Sequence, residues 1–375
     1  MKKVIAVNTR ILVSSKLEGI GNFTAEIFKR LVKWNPDYEF HFIFNYPFDP
    51  EFVFGENVKT YVIQPPAKHP LLVKIWYDFS LKRLLKRIQP DVFVSPDAIT
   101  SLTSNVKMLT VMHDIGFAHR PQDLPKSWAN FYNKYSKAFA EKSKRVATVS
   151  EYSKKDIIET YNIPPEKIDV VFNGVKEYFH PASNDKIQQL TQGIEYFFYI
   201  GSLHPRKNII NLLKGFEKFK TSTTNQTKLV IGGDFLFRSE EIKNFIDNLT
   251  CKDEIILKGR LTDDHLNTWL SGAVALTYIP YFEGFGIPLL EAMQCETPVL
   301  TSNVTSLPEV GGDAAIYVSP ESTDEIAIGM KKISEDKELR AYLIEKGKER
   351  LQFYSWNKSA KLMWNSIQKT INSRV

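Results

Sequence analysis

Short runs of β-branched and aromatic residues alternate with longer stretches of helical period from one end of the chain to the other. Apolar runs of this kind leave no polar face for water, so strands built from them must be covered on both sides by the intervening helices. The pattern predicts parallel α/β layers. In the first half strands are expected at 4–7, 40–44, 58–63, 92–95, 109–112, 146–149 and 168–172, with helices at about 21–34, 71–88, 126–142 and 153–161. The second half restarts the rhythm with "YFFYIGS", "KLVIGG", "EIILKG", "VALTYIP", "TPVLTSN" and "AAIYVSP".

At 375 residues the chain exceeds what one core usually organises. Two doubly wound domains in tandem are the natural reading, with a cleft where the carboxyl ends of strands from both halves face each other. The boundaries are placed at 1–178 and 179–354, with a final helix over 355–375 packing at the junction. The polar stretch "NGVKEYFHPASNDKIQQLTQG" is read as the linker. In the tail, Ser355 is the expected N-cap, with Ala360, Met363, Trp364 and Ile367 on one stripe.

Apolar residues make up 43% and charged residues 25%, an ordinary globular composition. No run approaches the ~20 apolar residues of a membrane-spanning helix, and Asn8, Thr9 and Arg10 interrupt the N-terminal run before signal-peptide length. Two cysteines, Cys251 and Cys295, without metal-ligand spacing, point to a reducing compartment, and a cytoplasmic location is expected. The net charge of +6 is concentrated in the first 178 residues, which hold 26 Lys+Arg against 19 Asp+Glu. That excess is either merely solubilising or faces an anionic partner.

Four constellations could carry chemistry. In "LEGIGNFTAEIFKRL", Gly19 and Gly21 open an amphipathic helix whose N–H groups could meet an anion, though G-x-G-x-x-G is not completed. In "MLTVMHDIGF", His113 sits at the carboxyl tip of a strand, where an imidazole could donate to a hydroxyl or stabilise developing charge; a structural role is the alternative. In "YIGSLHPRKNIINLLKGF", Arg206 and Lys207 precede a helix that Asn208 could cap, an arrangement suited to a pyrophosphate. In "YFEGFGIPLLEAMQC", Glu283 lies at a strand tip, Gly284-Phe285-Gly286 turn the chain, and Glu291 falls one turn into a helix that tolerates Pro288 near its start.

Asp-x-Asp is absent, as are G-x-x-x-x-G-K-[ST], H-E-x-x-H and G-x-S-x-G. Without the metal clamp usual for sugar nucleotides, any pyrophosphate would be neutralised by Arg, Lys and helix termini. No metal or cofactor is expected.

Taken together, these motifs resemble the retaining glycosyltransferases of family 4, whose GT-B architecture has two facing Rossmann-like domains. The resemblance runs from G-x-G through H-D, "RKN" and E-x7-E to the terminal "FYSW" helix. It implies that Glu291 holds the donor ribose diol and Glu283 the hydroxyls of the transferred sugar. It places the N–H groups of Gly284, Phe285 and Gly286 at that sugar. It assigns Arg206 and Lys207 to the diphosphate, His113 to the sugar, and Gly21 to the phosphates from the first domain. The segment Gly259-Arg260-Leu261 corresponds to the nucleobase lining. Many relatives have Gly-Arg where this chain has Gly201-Ser202, which weakens the case for Arg206 more than that for Lys207.

The look of "GSLHPRKNI" and "YFEGFGIPLLEAM" is most like bacterial mannosyltransferases of surface-polysaccharide assembly. The resemblance implies a hexosyltransferase that uses a nucleoside-diphosphate sugar, GDP-mannose ahead of UDP-sugars, and a glycan or lipid-linked acceptor, with no nucleic-acid partner. Alternatives are a sugar-nucleotide epimerase of similar shape and a catalytically silent sugar-nucleotide-binding relative. In "KHPLLVKIWYDFSLKRLLKRI", Leu72, Ile75, Trp76, Phe79 and Leu84 fall near one face with Lys74, Lys82, Arg83, Lys86 and Arg87 elsewhere. Such a helix either packs on its own sheet or lies peripherally on the anionic inner face of a membrane.

Overall fold

The computed structural model describes residues 2–13, 17, 19–224, 226–233 and 239–373. The chain divides into two compact units: Met1–Asn173 with Trp356–Val375, and Gly174–Ser355.

Among the described residues, unit one carries a seven-stranded sheet in the order β3-β2-β1-β4-β5-β6-β7. The strands are β1 (Val4–Asn8), β2 (Glu39–Phe44), β3 (Val58–Val62), β4 (Val92–Ser95), β5 (Met108–Val111), β6 (Arg145–Thr148) and β7 (Ile168–Val170). Every pairing is parallel. Its helices are α1 (Gly19–Trp34), α2 (Pro70–Ile75), a π-helical turn (Trp76–Leu81), α3 (Lys82–Ile88), α4 (Gly116–His119), α5 (Lys126–Lys142) and α6 (Glu151–Tyr161). The central strands β4 and β5 are buried at every position, as a sheet covered on both faces requires.

Unit two repeats the plan with six parallel strands in the order β10-β9-β8-β11-β12-β13. They are β8 (Tyr196–Ile200), β9 (Lys228–Gly232), β10 (Ile255–Gly259), β11 (Ala275–Tyr278), β12 (Val299–Ser302) and β13 (Ala315–Val318). Its helices are α7 (Asn184–Thr191), α8 (Ile209–Thr221), α9 (Ser239–Asp247), α10 (Asp263–Ser271), α11 (Ile287–Gln294), α12 (Leu307–Gly311), α13 (Thr323–Glu335) and α14 (Lys337–Leu351).

The last helix, α15 (Trp356–Asn372), belongs to unit one. Ala360, Met363 and Ile367 are fully buried along its inner stripe. Lys107 Nζ ties down its end, donating to Ile371 O at 2.6 Å and Ser373 O at 2.7 Å.

Three expectations need correction. The stretch read as a linker contains a helix, because the Ser183 side chain accepts from Lys186 N and caps α7. The residues 174–178 group with unit two, where Tyr178 lies beside Asp263 and Glu291. The single helix expected over 71–88 is broken into α2, a π turn and α3, and Phe79 does not share the buried stripe of Trp76 and Leu84.

In both units the strand order reverses once, at β1/β4 and at β8/β11. Loops leaving the carboxyl ends of such neighbours splay apart and open a crevice for a ligand. The loops after β8 and β11 are those that carry Arg206, Lys207 and Glu283.

Candidate active site

In unit two, β8 ends at Ile200 and a loop leads into a single 3-10 turn, Pro205–Lys207. The turn is held by the His204 ring, which accepts from Arg206 N at 3.3 Å. Asn208 follows in the left-handed region, φ 59°, and does not cap α8 with its side chain as its position suggests. Its amide instead donates to Ile279 O at 3.0 Å, just past β11, and to Pro320 O at 2.8 Å, just past β13. Tyr281 N donates to Arg206 O at 3.0 Å. The cation-bearing turn is therefore fixed to the loop after β11 by backbone and side chain alike.

That loop brings Glu283 onto Lys207. The two are ion-paired, with side chains only 13% and 11% exposed for Lys207 and Glu283. Tyr278, the last residue of β11, completes the cluster: Lys207 Nζ donates to its hydroxyl at 2.6 Å, and the hydroxyl donates to Glu283 Oε1 at 2.8 Å. Burial pushes the Glu283 carboxyl up, but the Lys207 and Arg206 cations and the hydrogen bonds from Lys207 and Tyr278 outweigh it. Its pKa lies below the usual carboxylate range, so Glu283 is charged at neutral pH. Its backbone is pinned as well, Glu283 N donating to Thr305 Oγ1 at 3.2 Å and Ser306 Oγ donating to Glu283 O at 2.9 Å.

Gly284, Phe285 and Gly286 are buried. Gly286 has φ +100°, and a Cβ there would stand 2.6 Å from Leu307 Cδ2, so only glycine fits the turn. Phe285 packs edge-on against Tyr354, ring centroids 5.4 Å apart. The chain then enters α11, with Pro288 in its first turn.

Glu291 occupies a different environment from Glu283. It is half-buried, and among the described residues its carboxylate has no hydrogen-bond partner. Burial raises its pKa to about 7, with Lys176 opposing and Asp263 adding to the rise. Tyr178 stands by the same group, its own pKa raised by burial and then by Glu291 and Asp263. A carboxylate without protein donors is suited to accepting hydroxyls from a ligand. Leu261 is half-buried beyond β10, within 3.1 Å of where a Cβ on Gly232 would stand.

Unit one contributes its own set. Gly19 and Gly21 form the first turn of α1, and Gly21 is buried, with Leu17 Cδ2 3.0 Å and Ile11 O 3.3 Å from where a Cβ would be. Phe23, one turn on from Gly19, meets the His113 ring edge-on at 4.9 Å, so the N-terminal part of α1 packs beside the histidine within the unit. His113 Nε2 lies 2.9 Å from Pro96 O. Burial lowers the imidazole's pKa, against the Pro96 carbonyl and Asp114, so the neutral ring donates Nε2–H to that carbonyl. Nδ1 is left as an acceptor, which corrects the expectation that His113 donates to a ligand hydroxyl.

Sequence reasoning missed Tyr278 and the tethering by Asn208. Both depend on strands distant in sequence meeting at one sheet edge, and no local spacing signals that.

Two family descriptions together span most of the chain: "Glycosyltransferase Family 4" matches residues 17–177 and "Glycosyl transferases group 1" matches residues 182–350. The O-antigen chain mannosyltransferase B of Escherichia coli is 30% identical over 274 residues, 71% of this chain and 70% of that protein. The chain belongs to glycosyltransferase family 4. The O-antigen chain mannosyltransferase RfbU of Salmonella typhimurium is 29% identical to this glycosyltransferase over 267 residues, 70% of the chain and 71% of the relative. The crystal structure of Anabaena HepE in complex with UDP and glucose superposes with a TM-score of 0.77 at 17% identity, covering 98% of this chain and all of the other. The two Rossmann-like units of the glycosyltransferase are thus those of the GT-B fold.

Proposed function

We propose that the protein is a retaining mannosyltransferase that moves mannose from a nucleoside-diphosphate sugar, GDP-mannose ahead of UDP-sugars, to a glycan or lipid-linked acceptor in envelope polysaccharide biosynthesis. The observation that carries this reading is the division of labour between two glutamates within unit two. Glu283 is ionised, buried and bridged by Tyr278 to Lys207, whereas Glu291 is half-buried, unbridged and raised to about 7.

In this reading Lys207 and Arg206 take the diphosphate, and their charge stabilises the leaving group as its charge grows. Glu283 accepts hydroxyls of the transferred sugar, and the N–H groups of Gly284, Phe285 and Gly286 face it. Glu291 accepts both hydroxyls of the ribose diol, and Leu261 lines the base. His113 Nδ1 accepts from a sugar hydroxyl, and Gly19 and Gly21 approach the phosphates from unit one. In this reading Arg206 and Lys207 neutralise the diphosphate charge. Mannose as the transferred sugar rests on the mannosyltransferase relatives.

A same-face mechanism needs no protein nucleophile: the departing diphosphate takes the proton of the incoming acceptor hydroxyl while Lys207 and Arg206 hold it. The test is a thermal-shift panel of GDP, UDP, GDP-mannose and UDP-glucose in chelator. A ligand at about 100 times its Kd adds roughly 2.7 kcal/mol. GDP-mannose and GDP are expected to stabilise the protein most. Stabilisation only on adding Mg²⁺ or Mn²⁺, or release of a free epimerised sugar from GDP-mannose, would overturn the assignment.

A further inference from the structure

Among the described residues seven that are not glycine have a positive φ, and of these only Thr305, at 57°, is β-branched. Asn162 and Asn208 adopt the same region with a side chain that suits it. In threonine the two branches crowd the backbone there, so the conformation is strained. Strain of this kind persists only where the surrounding contacts hold it, and it gathers at positions with a task.

Thr305 lies in the loop between β12 and α12, and that loop braces the turn after β11 at three successive residues. Thr305 Oγ1 accepts from Glu283 N at 3.2 Å, and Ser306 Oγ donates to Glu283 O at 2.9 Å. Leu307 fills the space that a Cβ on Gly286 would need. The Thr305 hydroxyl gives its own proton to Val304 O at 2.8 Å, so a lone pair is what it turns toward Glu283. Both backbone polar groups of Glu283 are thereby taken by side chains of one loop.

The other end of Glu283 is held through a single atom. Lys207 and Tyr278 both engage Oε1. Among the described residues Oε2 has no hydrogen-bond partner, so it is the oxygen left to accept from a ligand. With Oε1 pinned, the direction of Oε2 depends on where the backbone of the residue stands. Releasing the Glu283 amide would let the side chain pivot about Oε1 and swing Oε2 away from its target.

We propose that Thr305 is a positioning residue for the transfer reaction: its strained backbone presents the hydroxyl that fixes the Glu283 amide and so aims Glu283 Oε2 at the transferred sugar. The inference rests on the assignment of Glu283 to that sugar. It explains why a β-branched residue stands where glycine would relieve the backbone.

Three substitutions separate the hydroxyl from the strain. Thr305→Ser keeps the hydroxyl and drops a branch, Thr305→Val keeps both branches and drops the hydroxyl, and Thr305→Gly drops both. Isothermal titration with GDP-mannose and with GDP, and turnover of GDP-mannose, are measured on the full chain. Affinity for GDP-mannose and turnover are each expected to fall about tenfold in Thr305→Val and Thr305→Gly and to stay within about threefold of the parent in Thr305→Ser. Affinity for GDP should stay within about twofold throughout, because Arg206 and Lys207 keep their own supports in the turn after β8 and at Tyr278. Melting should follow another order, with Thr305→Gly above Thr305→Val, because only glycine sheds the strain.

Parent-like GDP-mannose affinity and turnover in Thr305→Val overturn the proposal, as does a Thr305→Ser variant no better than Thr305→Val. An equal loss of GDP affinity also overturns it, since the loop would then act on the whole site rather than through Glu283. A parent that binds neither GDP nor GDP-mannose defeats the mannosyltransferase reading itself, and this inference with it.

Discussion

The Tyr278 hydroxyl donates to Glu283 Oε1 at 2.8 Å while accepting from Lys207 Nζ at 2.6 Å, so one buried phenol sets the geometry between the principal cation and the principal carboxylate of the site. Its ring is stacked on Tyr199, centroids 6.2 Å apart, which fixes the hydroxyl independently of either partner. Tyr278→Phe keeps that stacking and removes only the bridge. Turnover is expected to fall about tenfold with little change in KM, because misplacement of Lys207 matters most when leaving-group charge develops. Steady-state kinetics with GDP-mannose would show it. An unchanged kcat would mean that Lys207 and Glu283 hold each other without help.

Removing either ion-pair partner should cost more. Glu283→Ala and Lys207→Ala are each expected to lower turnover at least about 100-fold, the scale of losing one interaction that strengthens in the transition state. Lys207→Ala also strands a buried carboxylate, at a cost of about 3–5 kcal/mol in stability. The paired change Lys207→Met with Glu283→Gln should recover much of that stability and none of the activity. Thermal denaturation and turnover measured on the same preparations would separate the two effects.

Glu291 predicts a pH dependence whose sign can be fixed. Its folded-state pKa is about 7, above the ordinary carboxylate value, so the folded chain binds a proton that the unfolded chain gives up. Its contribution to stability is therefore present at low pH and is lost as pH rises from the unfolded value through about 7. Glu291→Gln should raise the melting temperature at pH 8 and leave it unchanged at pH 4. A ribose diol donates to the carboxylate and favours the ionised form, so nucleotide affinity should rise with pH across this range. A nucleotide lacking both ribose hydroxyls should lose that part of the slope. Isothermal titration of the pair, which shares the titration of the phosphates, isolates the glutamate.

Asn208 has a structural task with a functional readout. Asn208→Ala leaves Ile279 O without its side-chain donor, at a cost of about 1–3 kcal/mol, and removes one of the two donors of Pro320 O, which keeps Asn211 Nδ2 at 3.0 Å. Melting should drop, and nucleotide affinity should fall with it because Arg206 and Lys207 are the residues immediately before. Lower stability with undiminished affinity would show that the Tyr281-to-Arg206 backbone bond alone holds the turn.

Much of the fold could be read from local pattern. Strands such as Phe40–Phe44 and Val92–Ser95 announce themselves as short apolar runs because a sheet covered on both faces admits little else. The E-x7-E motif was visible for a related reason: a strand tip, a glycine turn and a helix start lie within a dozen residues, so Glu283, Gly286 and Glu291 are placed by neighbouring backbone. Asn208 misled because left-handed backbone and two acceptors from other loops outcompeted a cap. Phe79 misled because the stripe that packs runs through Val73, Tyr77, Leu81 and Leu85, which leaves Phe79 on the opposite side, while Asp78 is held inward by Leu102 N, more than twenty residues away.

The sequence by itself determined two α/β units, the residues at their strand tips and the family they serve, since these follow from periodicity and from motifs contiguous in the chain. Only the tertiary structure decided that Glu283 is ionised and Glu291 is raised to about 7, that Tyr278 joins Lys207 to Glu283, and that Phe79 faces outward. The reason is physical: two glutamates eight positions apart are chemically identical in the chain. Burial, and the charges that loops from other strands bring beside them, set the two apart.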